Sequence, residues 1–105
     1  MSKTCTMEID TDGCVRLSGP LTFESVPGLY AESKERFQGS KNLSSIDLSG
    51  VIDADSAGLA LLLEWQAARR TEHGRLNIEN SPSSLMRLAR LCEAIELINI
   101  SERQK

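Results

Sequence analysis

The sequence predicts an α/β domain of two layers: a mixed four- to five-stranded sheet with helices packed mainly on one face. Three observations lead there. Short stretches that alternate polar and apolar residues recur between longer stretches whose apolar residues return every three or four positions. The first two alternating stretches are joined by a tight-turn pair, whereas the later ones are separated by helix-length segments. A strand, a crossover helix and a parallel neighbour form a right-handed unit that lays the helix on the sheet. At 105 residues the chain is read as one domain, 1–105, with no repeat, linker or low-complexity segment.

The elements follow in order. "TCTMEI" at 4–9 alternates as a strand with one wet face. Asp12-Gly13 tolerates the positive φ of a hairpin turn, and "CVRLSG" at 14–19 repeats the alternation. Pro20 breaks the pattern. Ser25 and Pro27 then read as cap and first turn of a helix, with Val26, Leu29, Tyr30 and Phe37 on its apolar side and Gly39 as its stop. Its solvated side carries Glu32, Lys34, Glu35 and Arg36.

"LSSIDLSG" at 43–50 is the third strand, and a second helix runs from Ser56 to His73, ending at Gly74. "RLNIEN" at 75–80 is a fourth strand. Ser81-Pro82 opens a third helix by the same cap-then-proline logic, with Leu85, Leu88 and Leu91/Cys92 as its buried stripe. "AIELINI" at 94–100 reads equally as a short turn or a last strand, and residues 101–105 as a frayed tail.

Composition excludes several functions. A net charge of −3 argues against a sequence-independent grip on nucleic acid or anionic lipid. No apolar run approaches the roughly 20 residues of a membrane span. "MSKTCTMEID" lacks the basic and apolar regions of a secretion signal, so a cytoplasmic location is expected. Cys5, Cys14 and Cys92 have no C-x-x-C spacing and a single histidine to assist them, which speaks against a zinc site; they read as small buried hydrophobes. Neither a metal nor a cofactor is expected.

The most unusual stretch is "IDLSGVIDADSAGLALLLEWQ" at 46–66. Asp55 or Ser56 stands where a side-chain oxygen can accept bonds from the first free N–H groups of the helix. Gly58 leaves room for close approach. Asp53 and Asp55 place negative charge beside the positive helix end, where Ser56 reads either as a plain cap or as a candidate phosphoacceptor and switch. Asp47, Asp53 and Asp55 together read as capping and solvation rather than as ligands of a divalent ion.

Along the helix, Leu59, Leu62 and Leu63 form one stripe and Leu61, Trp65 and Ala68 a second, more than about a hundred degrees away. One sheet covers only about a third of a helix. Trp65 therefore either tucks against a neighbouring helix or joins a docking surface; the interface expected is Ser56, Ala57, Leu61, Trp65 and Arg69, with Arg70 and Arg75 as further charged rim. Catalysis is not expected: His73 lies about 25 Å from Ser56 along the same helix.

These residues carry a resemblance. "IDLSGVIDADSAGLALLL", with the opening hairpin, "LSGPLTFESVPGLY" and "RLNIENSPSSLMRLARL", resembles the STAS domain family over nearly the whole chain. In its anti-sigma factor antagonist branch the hydroxyl residue after the signature aspartate is phosphorylated by an anti-sigma factor kinase. The resemblance carries this to Ser56, although Ala57 stands where that branch usually has a second Ser or Thr. "LSGPLTFESVPGLY" and "DSAGLALLLEW" are more similar to the STAS subunit (MlaB-like, toluene-tolerance type) of the Mla phospholipid ABC transporter. That similarity implies a non-catalytic accessory subunit, peripheral to the inner membrane, that binds the transporter ATPase through Ser56 and the start of the second helix.

Overall fold

The computed structural model describes residues 4–37, 43–73 and 76–102, with the backbone alone for 69–73. Strand β1 (Thr6–Ile9) and strand β2 (Cys14–Leu21) form an antiparallel hairpin. Its turn is held from within: Asp10 Oδ1 accepts bonds from the N–H groups of Asp12 and Cys14, at 2.9 and 3.0 Å, and Gly13 takes φ +86°. Those backbone donors, Cys14 first, and the Arg16 guanidinium at 3.2 Å hold the Asp10 carboxyl below the usual carboxylate range. Helix α1 (Val26–Arg36) leads to strand β3 (Ser45–Ala54), and helix α2 (Ser56–His73) to strand β4 (Asn77–Ser81). Helix α3 (Ser83–Leu91) and the single turn α4 (Ile95–Ile98) precede strand β5 (Ile100–Glu102). The segment 94–100 is thus a turn and the start of a strand.

Strand order follows the chain, β1-β2-β3-β4-β5, and every pair after the hairpin is parallel. Right-handed crossovers stepping in one direction deposit their helices on one face. The register agrees. Met7, Leu17, Val15, Ile46 and Ile78 are paired neighbours and buried beneath the helices. The opposite face carries the row Glu8, Arg16, Asp47 and Glu79. Burial raises the Asp47 carboxyl, but bonds from Asn80 Nδ2 at 2.9 Å and Ser49 N at 3.0 Å, with Arg16 nearby, outweigh it and leave the group below its ordinary value.

Helix α2 matches its expected bounds, but its surroundings differ. Leu61 and Trp65 are 4% and 3% exposed, so these two members of the second stripe are enclosed within the chain rather than left as a docking surface, and only Ala68 is exposed. Helix α1 covers it. Trp65 Nε1 donates to Ser33 Oγ at 3.0 Å, and the Phe37 ring lies 5.3 Å from the indole at 59°. On its far side α2 buries Gln66, whose amide donates to the carbonyls of Leu76 and Ile98 at 2.8 and 2.7 Å and accepts from Leu76 N at 2.7 Å. A buried amide with both N–H groups and its oxygen bonded ties α2 to the residue leading into β4 and to α4.

Other expectations need correction. Ser25 is the first residue before α1, yet its hydroxyl does not cap the helix; it donates to Pro20 O at 2.7 Å and accepts from Thr22 N at 3.0 Å. Ser81 belongs to β4 and Pro82 occupies the cap position of α3. The buried side of α3 is Leu85, Met86 and Ala89, whereas Leu91 and Cys92 are exposed. A spacing of 85, 88, 91 slips back by about 60° per step, which carries Leu91 to the far side. Cys5 is buried, and that burial pushes its thiol up; Cys14 is half-buried. Gly39, Gly74, Arg75 and residues 103–105 lie outside the described residues, as do the side chains of Arg69 and Arg70.

Replacing Gln66 by Leu strands Leu76 N and Ile98 O without partners, while Asn99 Nδ2 still donates to Leu76 O at 2.9 Å. Denaturant unfolding should show a loss of about 2–4 kcal/mol. Amide exchange should accelerate first across 94–100.

Candidate functional site

The junction between β3 and α2 is set by three local features. β3 carries two extra residues against β2, since Arg16 pairs with Asp47 but Ser18 with Gly50, and Gly19 pairs with Val51 but Pro20 with Asp53. Each extra residue reverses the in–out phase of the strand up to the next irregularity. Val51 therefore points into the core and Ile52 outward, the reverse of what the alternation of Ile46 and Leu48 implies. The strand also continues past Gly50, so Asp53 and Ala54, read as loop, pair with Pro20 and Leu21.

Asp55 is the second feature. Its Oδ1 accepts bonds from Ala57 N at 2.9 Å and Gly58 N at 3.4 Å, while Oδ2 accepts from Phe23 N at 2.9 Å. Its own N–H donates to Leu21 O at 3.3 Å. One carboxylate thus caps α2 and fastens the β2–α1 loop to it. The aspartate supplies the cap. Ser56 is exposed, and its hydroxyl makes no hydrogen bond among the described residues.

Gly58 is the third. A Cβ there would lie 2.5 Å from Leu21 O and 2.9 Å from Leu21 Cγ, so a side chain of any kind would push α2 off the end of β2. Ser56 then follows the geometry of the strand beneath it.

Large apolar side chains are exposed near Ser56, among polar and charged ones. Among the described residues four large hydrophobic side chains are well exposed, and three of them border this junction: Phe23 at 76%, Ile52 at 75% and Leu91 at 81%. Phe23 is fastened to Asp55, and Ile52 lies on the strand end that delivers it. Leu91 shares with Ser56, Asp55, Ser84, Arg87 and Leu88 an open groove of about 420 Å³ between α2 and α3. The fourth, Leu97, sits apart on α4. Beyond Ser56 the wet side of α2 presents Ala60, Glu64 and Ala67.

The expected site residues are thus divided. Asp55, Ser56, Ala57 and Gly58 come together at one helix start, with Asp53 exposed beside them. Leu61 and Trp65 are core, and the side chain of Arg69 is outside the described residues. Phe23, Ile52 and Arg87 were not singled out, and Leu91 was assigned to the buried stripe of the third helix. The one legible trace is Phe23, an apolar residue stranded between Pro20 and Pro27 and off every helical stripe. Among the described residues no cluster of three or more His, Cys, Asp or Glu side chains is arranged to hold a metal ion. No described helix is long and apolar enough to cross a membrane.

The signature stretch, the hairpin and the third helix all fall within one family model, described as the MlaB STAS domain, which matches residues 7–98. The chain belongs to the STAS domain family, MlaB type. No curated protein matches it in sequence. Its fold is shared with the anti-sigma factor antagonist SpoIIAA in its unphosphorylated form, at 22% identity and TM-score 0.62, over 83% of this chain and 82% of that one. The phosphorylated form of SpoIIAA, a Bacillus cell fate determinant, aligns at 19% identity and TM-score 0.65, over 96% and 92%. The murine Slc26a9 anion transporter aligns at 12% identity and TM-score 0.64, over 96% of this chain and 20% of that one. At such identities the likeness is one of fold.

Two glycine variants separate the site's constraint from ordinary helix propensity. Gly58→Ala should cost about 1–3 kcal/mol in denaturant unfolding through the clash with Leu21. Gly28→Ala, on α1 with open space around the new methyl, should instead stabilise by about 0.5–1 kcal/mol.

Proposed function

We propose that this STAS domain is a non-catalytic accessory subunit that binds the ATPase of a phospholipid-transporting ABC complex, supports its assembly and activity, and so serves outer-membrane lipid asymmetry. It acts in the cytoplasm, held at the inner membrane through that complex. The observation that carries the reading is the exposure of Phe23, Ile52 and Leu91 on the elements that meet at the start of α2, Leu91 sharing an open groove with Ser56. Contiguous exposed hydrophobic side chains on a small domain are commonly partner sites, and aromatic ones dominate their energetics. Membership of the MlaB-type family supports the choice of partner. The contact surface then comprises Ser56 and Ala57, with Phe23, Ile52 and Leu91 in the place first given to Leu61 and Trp65. Small residues at Ala57 and Ala60 let a partner backbone approach the helix start closely.

Nothing in the neighbourhood of Ser56 favours nucleophilic catalysis. The residues around it that could take a proton are Asp53 and Asp55; Asp55 is already occupied by three backbone donors, and His73 ends the same helix about 25 Å away.

One observation favours a second reading, an anti-sigma factor antagonist switched by a kinase at Ser56. The cap bonds are made by Asp55, so the serine hydroxyl remains outside and available. A phosphate there would meet the helix amides and also the carboxylates of Asp53 and Asp55, and would repel an acidic partner.

Purified chain and the transporter ATPase decide between them. Phe23→Ser and Leu91→Ser should each weaken binding about tenfold or more, in the range of hot-spot truncations, with thermal stability nearly unchanged. Ser56→Asp should also weaken it. Unchanged affinity in all three variants overturns the reading. For the second reading, incubation with candidate anti-sigma kinases and ATP should leave phosphate on Ser56 by mass spectrometry, and its absence counts against that reading.

A further inference from the structure

We infer that the outer face of α3 forms the second wall of this docking surface and receives an acidic amphipathic helix from the protein partner. The inference rests on the docking reading above and names the chemistry that the occupant must carry. α3, "SSLMRLARL", contains no acidic residue in a chain whose net charge is −3. Its buried side is Leu85, Met86 and Ala89. Its outer side is Ser83, Arg87, Arg90 and Leu91, all exposed, with Ser84 and Leu88 half-buried at the groove. Arg87 and Leu91 are one turn apart and so share a face, with Arg90 a step to the side.

Neither arginine makes an ion pair or side-chain hydrogen bond among the described residues. This contrasts with Arg16 on Asp10 and Arg36 on Glu32. Two unpaired guanidinium groups flank the most exposed leucine of the described chain, and one of them lines the groove that holds Ser56. An occupant with an apolar residue against Leu91 and carboxylates against Arg87 and Arg90 satisfies all three. Guanidinium–carboxylate pairing gives direction as well as attraction. The groove is open and runs between two helix surfaces, the shape into which an amphipathic helix lays its apolar side.

Charge also argues against the two other occupants. Asp55 stands on the α2 side of the same groove, with the exposed Asp53 two residues before it in the chain. A bilayer of anionic headgroups presents one sign of charge across both walls and would be repelled from that side, whereas a protein helix matches each wall separately. A second copy of this chain paired with the two-fold axis passing through α3 would set Arg87 and Arg90 against their equivalents.

The test uses the intact chain with the transporter ATPase as probe, titrated at several salt concentrations. The variants are Phe23→Ser and the double reversal Arg87→Glu with Arg90→Glu, both on exposed positions and both checked by circular dichroism. Binding of the unaltered chain should weaken between about 0.05 and 0.5 M salt. The double reversal should weaken binding about tenfold at low salt and flatten that salt dependence. Reversing carboxylates on a single helix of the ATPase should restore the affinity of the reversed chain. If Phe23→Ser weakens binding while the double reversal leaves affinity and salt dependence untouched, the α3 inference is overturned and the docking reading survives. If the unaltered chain does not bind the ATPase, both fall. Binding to phosphatidylglycerol-rich vesicles, or self-association in sedimentation, that the double reversal abolishes while ATPase affinity stays the same, would assign the arginines to lipid or to a second copy and overturn the inference.

Discussion

Helix α2 is dry on three sides, and the rest of the architecture is arranged to keep it so. Beneath it lies the sheet, to one side α1 with the Trp65–Ser33 hydrogen bond and the Phe37 ring, and to the other β4 and α4 held by Gln66. Each neighbour is brought alongside because the strand order follows the chain and the crossovers share one face. A helix with so much apolar circumference has few places to sit in a domain of this size. The middle of the helical layer is one of them.

The same enclosure defines where function can lie. With Leu61, Leu62, Trp65 and Gln66 committed to the interior, α2 is free to meet another molecule along Ser56, Ala60, Glu64 and Ala67. Asp55 and Gly58 hold the start of that strip against the end of β2, the first by hydrogen bonds and the second by the absence of a side chain. Rigid support of this kind lets a small exposed hydroxyl act as a specific contact, because its position is not renegotiated when a partner arrives. The apolar side chains that flank it come from elements distant in sequence. Phe23 follows β2, Ile52 belongs to β3 and Leu91 ends α3.

Much of the fold was readable in order of sequence, and the departures have physical causes. The bounds of α2 coincide with the expected ones because eighteen residues of consistent helical composition outweigh any single position. β3 was read four residues short because a bulge shifts the phase of alternation after Leu48, and a shifted phase looks like a broken strand. Ser25 and Ser81 have the right residue type for caps, but both sit beside strand ends whose backbone groups and packing claim them first. The candidate site was legible in its centre, at Asp55, Ser56, Ala57 and Gly58, which are contiguous. At its edge the reading failed on burial: Leu61 and Trp65, expected at the surface, are enclosed, while Phe23, Ile52 and Leu91 are exposed.

The sequence by itself determined the local terms: alternation for strands, helical periodicity, a turn at Asp12-Gly13, a carboxylate and a glycine bracketing an exposed serine, and the signature that placed the chain among STAS domains. Tertiary structure alone decided which apolar side chains stay wet. That outcome depends on which neighbours reach each face of a helix and on the phase of a strand past its bulge. Both are set by contacts between residues far apart in the chain, whereas periodicity reports only on residues that are near.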